Sequence, residues 1–239
     1  MIQTYSLLLW SEPTESNLDE MIEISFSLLS ALKQYGHELS PKYLTARKKS
    51  EAKEFVLNRG NLKELIERSI NKEGEKVFLD LGRHFSFFSS LKDNESCGIS
   101  LTVGASNKNK INSLIVNLPY GGFSGFSEKV SDFENLVKRL VKIFRPYWCC
   151  VYNSETGSDY GYKLWEDKKP VSVHWLNYFN KVTAKNIGMK RVLALDGVEE
   201  FCGGYFYKLQ DMPINVENPE HLARQKSIEK YLGLGKGAY

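Results

Sequence analysis

The chain has 239 residues, of which 42% are hydrophobic and 26% charged, and its 32 Lys and Arg nearly balance its 29 Asp and Glu. That is ordinary globular composition, enough for one large domain or two small ones sharing a core. A formal charge of +3 lacks the asymmetry of a nucleic-acid binder, and no stretch is apolar enough to span a bilayer, so neither nucleic acid nor a membrane is expected as a partner.

The first apolar run, Tyr5 to Trp10, is bounded by Ser11-Glu12-Pro13 and predicts a strand. Asn17 with Glu20 three residues on reads as a capping box, and Leu18, Met21, Ile22, Ser25, Leu28, Leu29 and Leu32 recur at helical spacing until Gly36. Residues 37–60 are polar and lysine-rich, with a short helix around Glu51 to Leu57 or an exposed loop as the alternatives. Asn61 and Glu64 suggest a second box, with Leu62, Leu65, Ile66 and Ile70 on one helical face.

Three strands are expected next. They are Val77 to Leu81, extendable to Phe88, then Gly98 to Gly104, and Ser113 to Leu118; polar and glycine-rich loops between the latter two suit an antiparallel meander. Pro119 to Phe126 is a turn-rich bridge. Ser131 and Glu134 predict a third capped helix with Phe133, Leu136, Val137, Leu140, Val141 and Phe144 inward and Pro146 at its end. Tyr147 to Tyr152, Val171 to Phe179, Arg191 to Leu195 and Gly204 to Leu209 read as strands, and a last helix opens at Asn218-Pro219.

Strands and helices thus come in blocks, which favours an α+β fold with a largely antiparallel sheet and helices packed on one face. Residues 1–239 are expected to form a single domain. An echo between 1–126 and 127–239, each a helix followed by strands, leaves two similar halves open, although no repeat of fixed period supports a duplication.

The cysteines Cys97, Cys149, Cys150 and Cys202 contain no CxxC spacing. Adjacent Cys149 and Cys150 on a strand point to opposite faces, which puts at least one in the core. Met1 to Tyr5 has neither a basic n-region nor a long apolar h-region, so a reduced, cytoplasmic protein is the expectation. His37, His84, His174 and His221 are far apart and lack HExxH spacing; His174 reads as a structural, hydrogen-bonded histidine and His221 as a surface or capping residue.

Catalytic patterns find little purchase. Metal-dependent nucleases set an acid beside Glu-x-Lys on a strand, and Glu51-Ala52-Lys53 and Glu166-Asp167-Lys168 match only the short string. Gly121-Gly122-Phe123-Ser124-Gly125 lacks the Gly-Lys-Ser/Thr of a phosphate loop, and Gly-x-Ser-x-Gly is absent. No catalytic residue, metal ligand or cofactor is therefore assigned. The segment Tyr152 to Trp165 combines acids, glycines and aromatics in a loop, the residue types that interfaces favour. Glu155, Asp159, Tyr160, Tyr162 and Trp165 are its candidate partner-binding residues, with Tyr160, Tyr162 and Trp165 folded back onto the core as the alternative. A second acidic cluster, Glu12, Glu15, Asp19, Glu20 and Glu23, straddles the first helix start, where the helix dipole accounts for Asp19 and Glu20.

The aromatic run Val173-His174-Trp175-Leu176-Asn177-Tyr178-Phe179, followed by Asn218-Pro219-Glu220-His221 and a helix through Ile228-Glu229-Lys230-Tyr231-Leu232, resembles immunity proteins of bacterial polymorphic toxin systems, immunity protein family fifty-two in particular. Phe144-Arg145-Pro146-Tyr147-Trp148 is similar to the same family. The likeness is strongest over the last hundred or so residues. It departs at Val173-His174, where the family pattern has a glycine before the tryptophan, and in the mildly basic charge. The resemblance implies a non-enzymatic antidote that binds a cognate toxin, a nuclease secreted by a contact-dependent or type VI system, and blocks its active site or substrate entry. The alternatives are a metal-dependent nuclease or hydrolase built on the Glu-x-Lys triplets, and a scaffold subunit of a secretion apparatus.

Overall fold

In a computed structural model, which describes residues 3–119, 122, 126, 128–156 and 169–234, the first apolar run becomes strand β1 (Tyr5–Ser11). Helix α1 (Leu18–Tyr35), strand β2 (Tyr43–Leu44), helix α2 (Arg59–Arg68) and strands β3 (Ile70–Glu73), β4 (Lys76–Phe88), β5 (Gly98–Ala105) and β6 (Asn112–Asn117) follow. Next come helix α3 (Val130–Phe144), strands β7 (Trp148–Asn153) and β8 (Leu176–Asn180), and the short helices α4 (Lys181–Ile187) and α5 (Met189–Leu193). The hairpin β9 (Glu199–Phe201) and β10 (Gly204–Lys208) precedes the last helix, α6 (Pro219–Leu232). Among the described residues the strands form one sheet in the order β2-β4-β5-β6-β1-β7-β8-β10-β9, with β3 beside β4. Every ladder is antiparallel, so the fold is α+β as the block order predicts.

β1 lies at the centre, with β6 on one side and β7 on the other. Leu7 stands opposite Val116 and Val151, and Leu9 opposite Leu114 and Cys149, all of them buried. This face continues through Ile99, Leu101 and Val103 of β5, whose strict buried/half-buried alternation is the period-2 signature of a sheet covered on one side. α1, α2 and α3 pack against it. Phe133 of α3 stacks on Trp175 at 6.0 Å and 5°, and meets Tyr35 and Phe126 edge-on at 5.9 and 5.2 Å. Each large apolar side chain buried here contributes about 1.5–3 kcal/mol.

The opposite face divides in two. Along β4, β5 and β6 it is polar and open: Ser86, Ser100 and Thr102 are half-buried and His84 is exposed. Along β7, β8 and β10 it is closed over by Trp148, Phe179, Tyr205 and Tyr207, with Trp10 meeting Trp148 edge-on at 5.4 Å. Phe206 looks toward Lys138 of α3 at 4.8 Å, so its neighbours Tyr205 and Tyr207 point the other way, where the charge of Arg224 on α6 acts on Tyr207. Cys149 and Cys150 point to these two faces and both are fully buried.

The α1 capping box forms as expected: Asn17 Oδ1 accepts from the Glu20 N–H, and Glu20 accepts from the Asn17 N–H, both at 2.9 Å. Elsewhere the caps move. α2 is capped by Asn58, whose Oδ1 takes the Asn61 N–H at 2.8 Å, and Ile70 belongs to β3. α3 begins at Val130 without a side-chain cap: its N-cap is Lys129, whose ammonium cannot accept an N–H, Ser131 lies inside the first turn, and Glu134 pairs with Lys138 at 3.1 Å and Lys208 at 3.4 Å. The expected strand at Arg191 to Leu195 is instead α5. Gly188, at φ +122°, ends α4, and its carbonyl accepts from the Arg191 and Val192 N–H groups to start the next turn. The strand expected from Val171 begins only at Leu176.

Gly204 is where the β9–β10 hairpin presses onto β8. A Cβ there would fall inside contact distance of the Phe179 carbonyl oxygen and 2.8 Å from the Asn180 Cα, neither of which can yield cheaply. Gly204→Ala is expected to lower unfolding free energy by about 3 kcal/mol or more. Gly197→Ala, at φ +75° but in open space, costs only about 1 kcal/mol. Urea unfolding of the two variants measures the difference, and equal losses would refute the packing argument.

Candidate functional site

The chain from β4 to β5 turns through Ser89 to Cys97 as a ridge. It is stiffened from within. The Cys97 N–H donates to Ser89 Oγ at 2.8 Å and the Ser89 N–H to the Cys97 carbonyl at 3.0 Å; Ser96 Oγ donates to the Ser90 carbonyl and the Lys92 N–H to Ser90 Oγ. A 3-10 turn over Asp93–Glu95 closes the tip. Lys49 reaches Asp93 at 2.8 Å and lies 5.1 Å over the Phe88 ring, tying the ridge to the lysine-rich segment. Leu91, 44% exposed, projects from this braced structure among Lys92, Asp93, Asn94 and Glu95, which are also exposed.

A cleft lies on each side of the ridge. One, of about 510 Å³, is lined by Thr4, Ser6, Lys49, Phe88, Asn117 and Tyr152 among others, and opens beside the polar sheet face. The other, of about 560 Å³, is lined by residues including His37, Glu38, Lys42, Tyr43, Asn94 and Glu95. Glu38 is 3.4 Å from His37 and 3.6 Å from Lys129. The ridge thus stands between two hydroxyl- and charge-lined hollows, each of a size that could take protruding side chains.

Glu155 sits just beyond the first cleft. It is exposed, follows Ser154 of the cleft wall, and its N–H is fixed by Asn153 Oδ1 at 3.0 Å. Asn153 is itself buried, donating to Gln3 Oε1 at 2.6 Å and the Ile214 carbonyl at 2.9 Å, so the backbone at Glu155 is anchored to the core. Asp159, Tyr160, Tyr162 and Trp165 lie outside the described residues, as does the Glu166-Asp167-Lys168 triplet. Glu51 and Lys53 are exposed, on and just after a 3-10 turn rather than a strand. Among the described residues, no three or more His, Cys, Asp or Glu gather as a metal site would require. Leu91 and the ridge escaped the sequence reading; a lone leucine in a run of Ser, Lys, Asp, Asn and Glu was the only signal.

The histidines are not brought together. His84 Nδ1 pairs with Thr102 Oγ1 at 3.0 Å on the open face, and His221 Nδ1 accepts the Asn215 N–H at 3.1 Å. His174 is buried beside the rings of Trp148 at 6.1 Å and Tyr152 at 5.9 Å. Asn177 brackets it, taking the His174 N–H at 2.9 Å and donating to its carbonyl at 2.7 Å. Burial pushes the His174 imidazole down to about 3.

No family model matches the chain, and no curated protein matches it. Solved structures do. One is a T6SS protein of Pseudomonas aeruginosa, matched at a TM-score of 0.63 over 96% of this chain and 73% of that one, with 12% sequence identity. At that identity the likeness is one of fold. Among the described residues no helix is long and apolar enough to cross a membrane.

His174 sets a pH dependence. The unfolded chain protonates it near pH 6.5, the folded chain only near pH 3, so between these values the unfolded state holds the extra proton. Stability is therefore present above about pH 6.5 and is lost as the pH falls, with a slope approaching about 1.4 kcal/mol per unit from this group. Urea midpoints measured from about pH 7.5 to 5 should fall in the wild type and fall less in His174→Phe. Parallel profiles would show that His174 does not titrate this way.

Proposed function

We propose that this protein is an immunity protein, which binds a cognate secreted bacterial toxin and neutralises it by covering its active site or substrate entry. The toxin's class is taken as a nuclease. The observation that carries the reading is the braced ridge, with exposed Leu91 between two clefts and Glu155 at the rim of one. Such a surface binds by shape and needs no reacting group. An inhibitor must meet its target already ordered, since each loop or side chain fixed on binding subtracts from affinity. The internal hydrogen bonds of residues 89–97 meet that requirement. Two further supports are the resemblance of the C-terminal third to polymorphic-toxin immunity proteins and the shared fold with a protein named for the T6SS. Cytoplasmic action on a toxin arriving from a neighbouring cell is part of the same proposal.

Cells producing the toxin encoded beside this gene should survive when this protein is co-expressed, and the two should co-purify. Leu91→Asp with Glu155→Arg is expected to abolish rescue and to weaken binding by about thirtyfold or more, as for the loss of an interface hot spot. Val77→Asp, on the exposed far end of β4, should leave both unchanged. Rescue that survives the double substitution would remove the ridge from the interface, and the absence of any complex with wild type would defeat the immunity reading itself.

A further inference from the structure

α4 and α5 form a second surface with a chemistry of its own. From Lys181 to Leu195 the chain carries Lys181, Lys185, Lys190 and Arg191 and no acid. One side of this pair of helices is spent on the core through Thr183, Ala184, Ile187 and Val192, all buried. Exposed on the same two helices are Lys181, Lys185, Lys190 and Arg191, with Val182 and Leu193, 50% and 52% exposed.

The nearby acids are Glu199, taken by Lys138 at 2.6 Å, Glu200, which pairs with Lys181 at 4.0 Å, and exposed Asp196 just past Leu195, so the excess of positive charge lies on Lys185, Lys190 and Arg191. Arg191 is held in place by the end of α6, where its Nη1 donates to the Leu232 carbonyl at 3.2 Å, a favourable position for a cation at a helix C-terminus. Among the described residues, the Lys185 and Lys190 ammonium groups have neither a hydrogen-bond nor an ion-pair partner. A fixed guanidinium, two uncommitted ammonium groups and two exposed apolar side chains on helices pinned by Asn180 and Gly188 make a compact basic and apolar patch.

We infer that this patch docks an acidic, partly apolar segment of a protein partner. Charge complementarity selects the sign, and Val182 and Leu193 select the class. A nucleic-acid backbone rewards the lysines but gains nothing from two aliphatic side chains among them. A membrane surface needs a continuous apolar helix face to insert, and here that face is turned into the core. The patch stands apart from the ridge and does not depend on the partner being a toxin.

The test uses the full chain and a labelled synthetic peptide of alternating Glu and Leu, about a dozen residues long, read by fluorescence anisotropy. Binding is expected to weaken as salt is raised toward about 0.3 M. Lys185→Glu with Lys190→Glu should lower affinity about tenfold or more without moving the unfolding midpoint, since both residues are exposed. Leu193→Ser should lower it several-fold even at high salt, which a purely ionic contact would not show. Peptide binding that is absent, or unaffected by these substitutions, overturns the inference. So does tighter binding of duplex DNA through the same lysines with no effect of Leu193→Ser.

Discussion

The sheet depends on β1 being held from both sides at once. Its backbone pairs with β6 from Ser6 to Ser11 and with β7 from Tyr5 to Trp10, and the ladder extends past both ends through Leu118 to Tyr5, Ser154 to Thr4 and Tyr147 to Trp10. Leu7 and Leu9 fill the helix-covered face while Leu8 lies buried on the other. The strands on either side of β1 meet through it rather than through each other. Its partners lie more than a hundred residues away in sequence, so the central ladder closes only after a large loop-entropy cost is met. An apolar, β-favouring Tyr-Ser-Leu-Leu-Leu-Trp sequence is what makes that closure worthwhile.

The second constraint joins the two segments whose pairing drew attention in the sequence. Asn218 caps α6, accepting the Glu220 N–H at 3.0 Å, and Pro219 occupies its first turn. From that helix Gln225 Nε2 donates to the Val173 carbonyl at 2.6 Å, and Glu229 accepts from the Ser172 hydroxyl and from the Val173 N–H. This grip holds Ser172 and Val173 off the sheet, so the strand starts later than its composition suggests. It also aims Trp175 into the Phe133 and Phe126 cluster, where the indole N–H donates to the Gln210 carbonyl at 3.1 Å. The Asn-Pro-Glu-His and aromatic-strand motifs are thus two ends of one internal clamp. Their co-occurrence is explained by packing, and it marks a fold more than a contact surface.

Local chemistry made most elements legible. The α1 box, the alternation of β5, the apolar stripe of α3 and the Asn-Pro start of α6 each follow from a few adjacent residues. The misreadings arose where a distant residue decides the outcome. Asn61 and Glu64 have box spacing, but Asn58 reaches the free N–H first. Ser131 and Glu134 have it too, yet the helix starts before Ser131, with Lys129 at the cap, and Glu134 pairs with Lys138 and Lys208. Arg191 to Leu195 has strand-like content but lies next to Gly188, whose carbonyl nucleates a turn. The ridge was invisible for a related reason. Serines, charges and one leucine become a projection only when the sheet places clefts on either side, whereas Glu155 was singled out because acids and aromatics crowd its segment.

Uneven covering of the sheet governs where another protein can approach. Along β7, β8 and β10 both faces are occupied, and the outer sides of α4 and α5 meet solvent there. Along β4, β5 and β6 one face is only half-buried, and with Ser86, Ser100 and Thr102 beside Phe88 and Ile115 it offers limited apolar area to bury. On the proposed reading, binding strength would come from what projects at the margins of that face: Leu91 on its ridge at one end, and the cationic helices at the closed end. A formal charge of only +3 is compatible with this, because a patch steers a partner by its local field and screening hides the rest of the surface beyond about 10 Å. A blocker built in this way would match its partner's charge locally, at one patch, without mimicking the polyanion that a nuclease groove is shaped to hold.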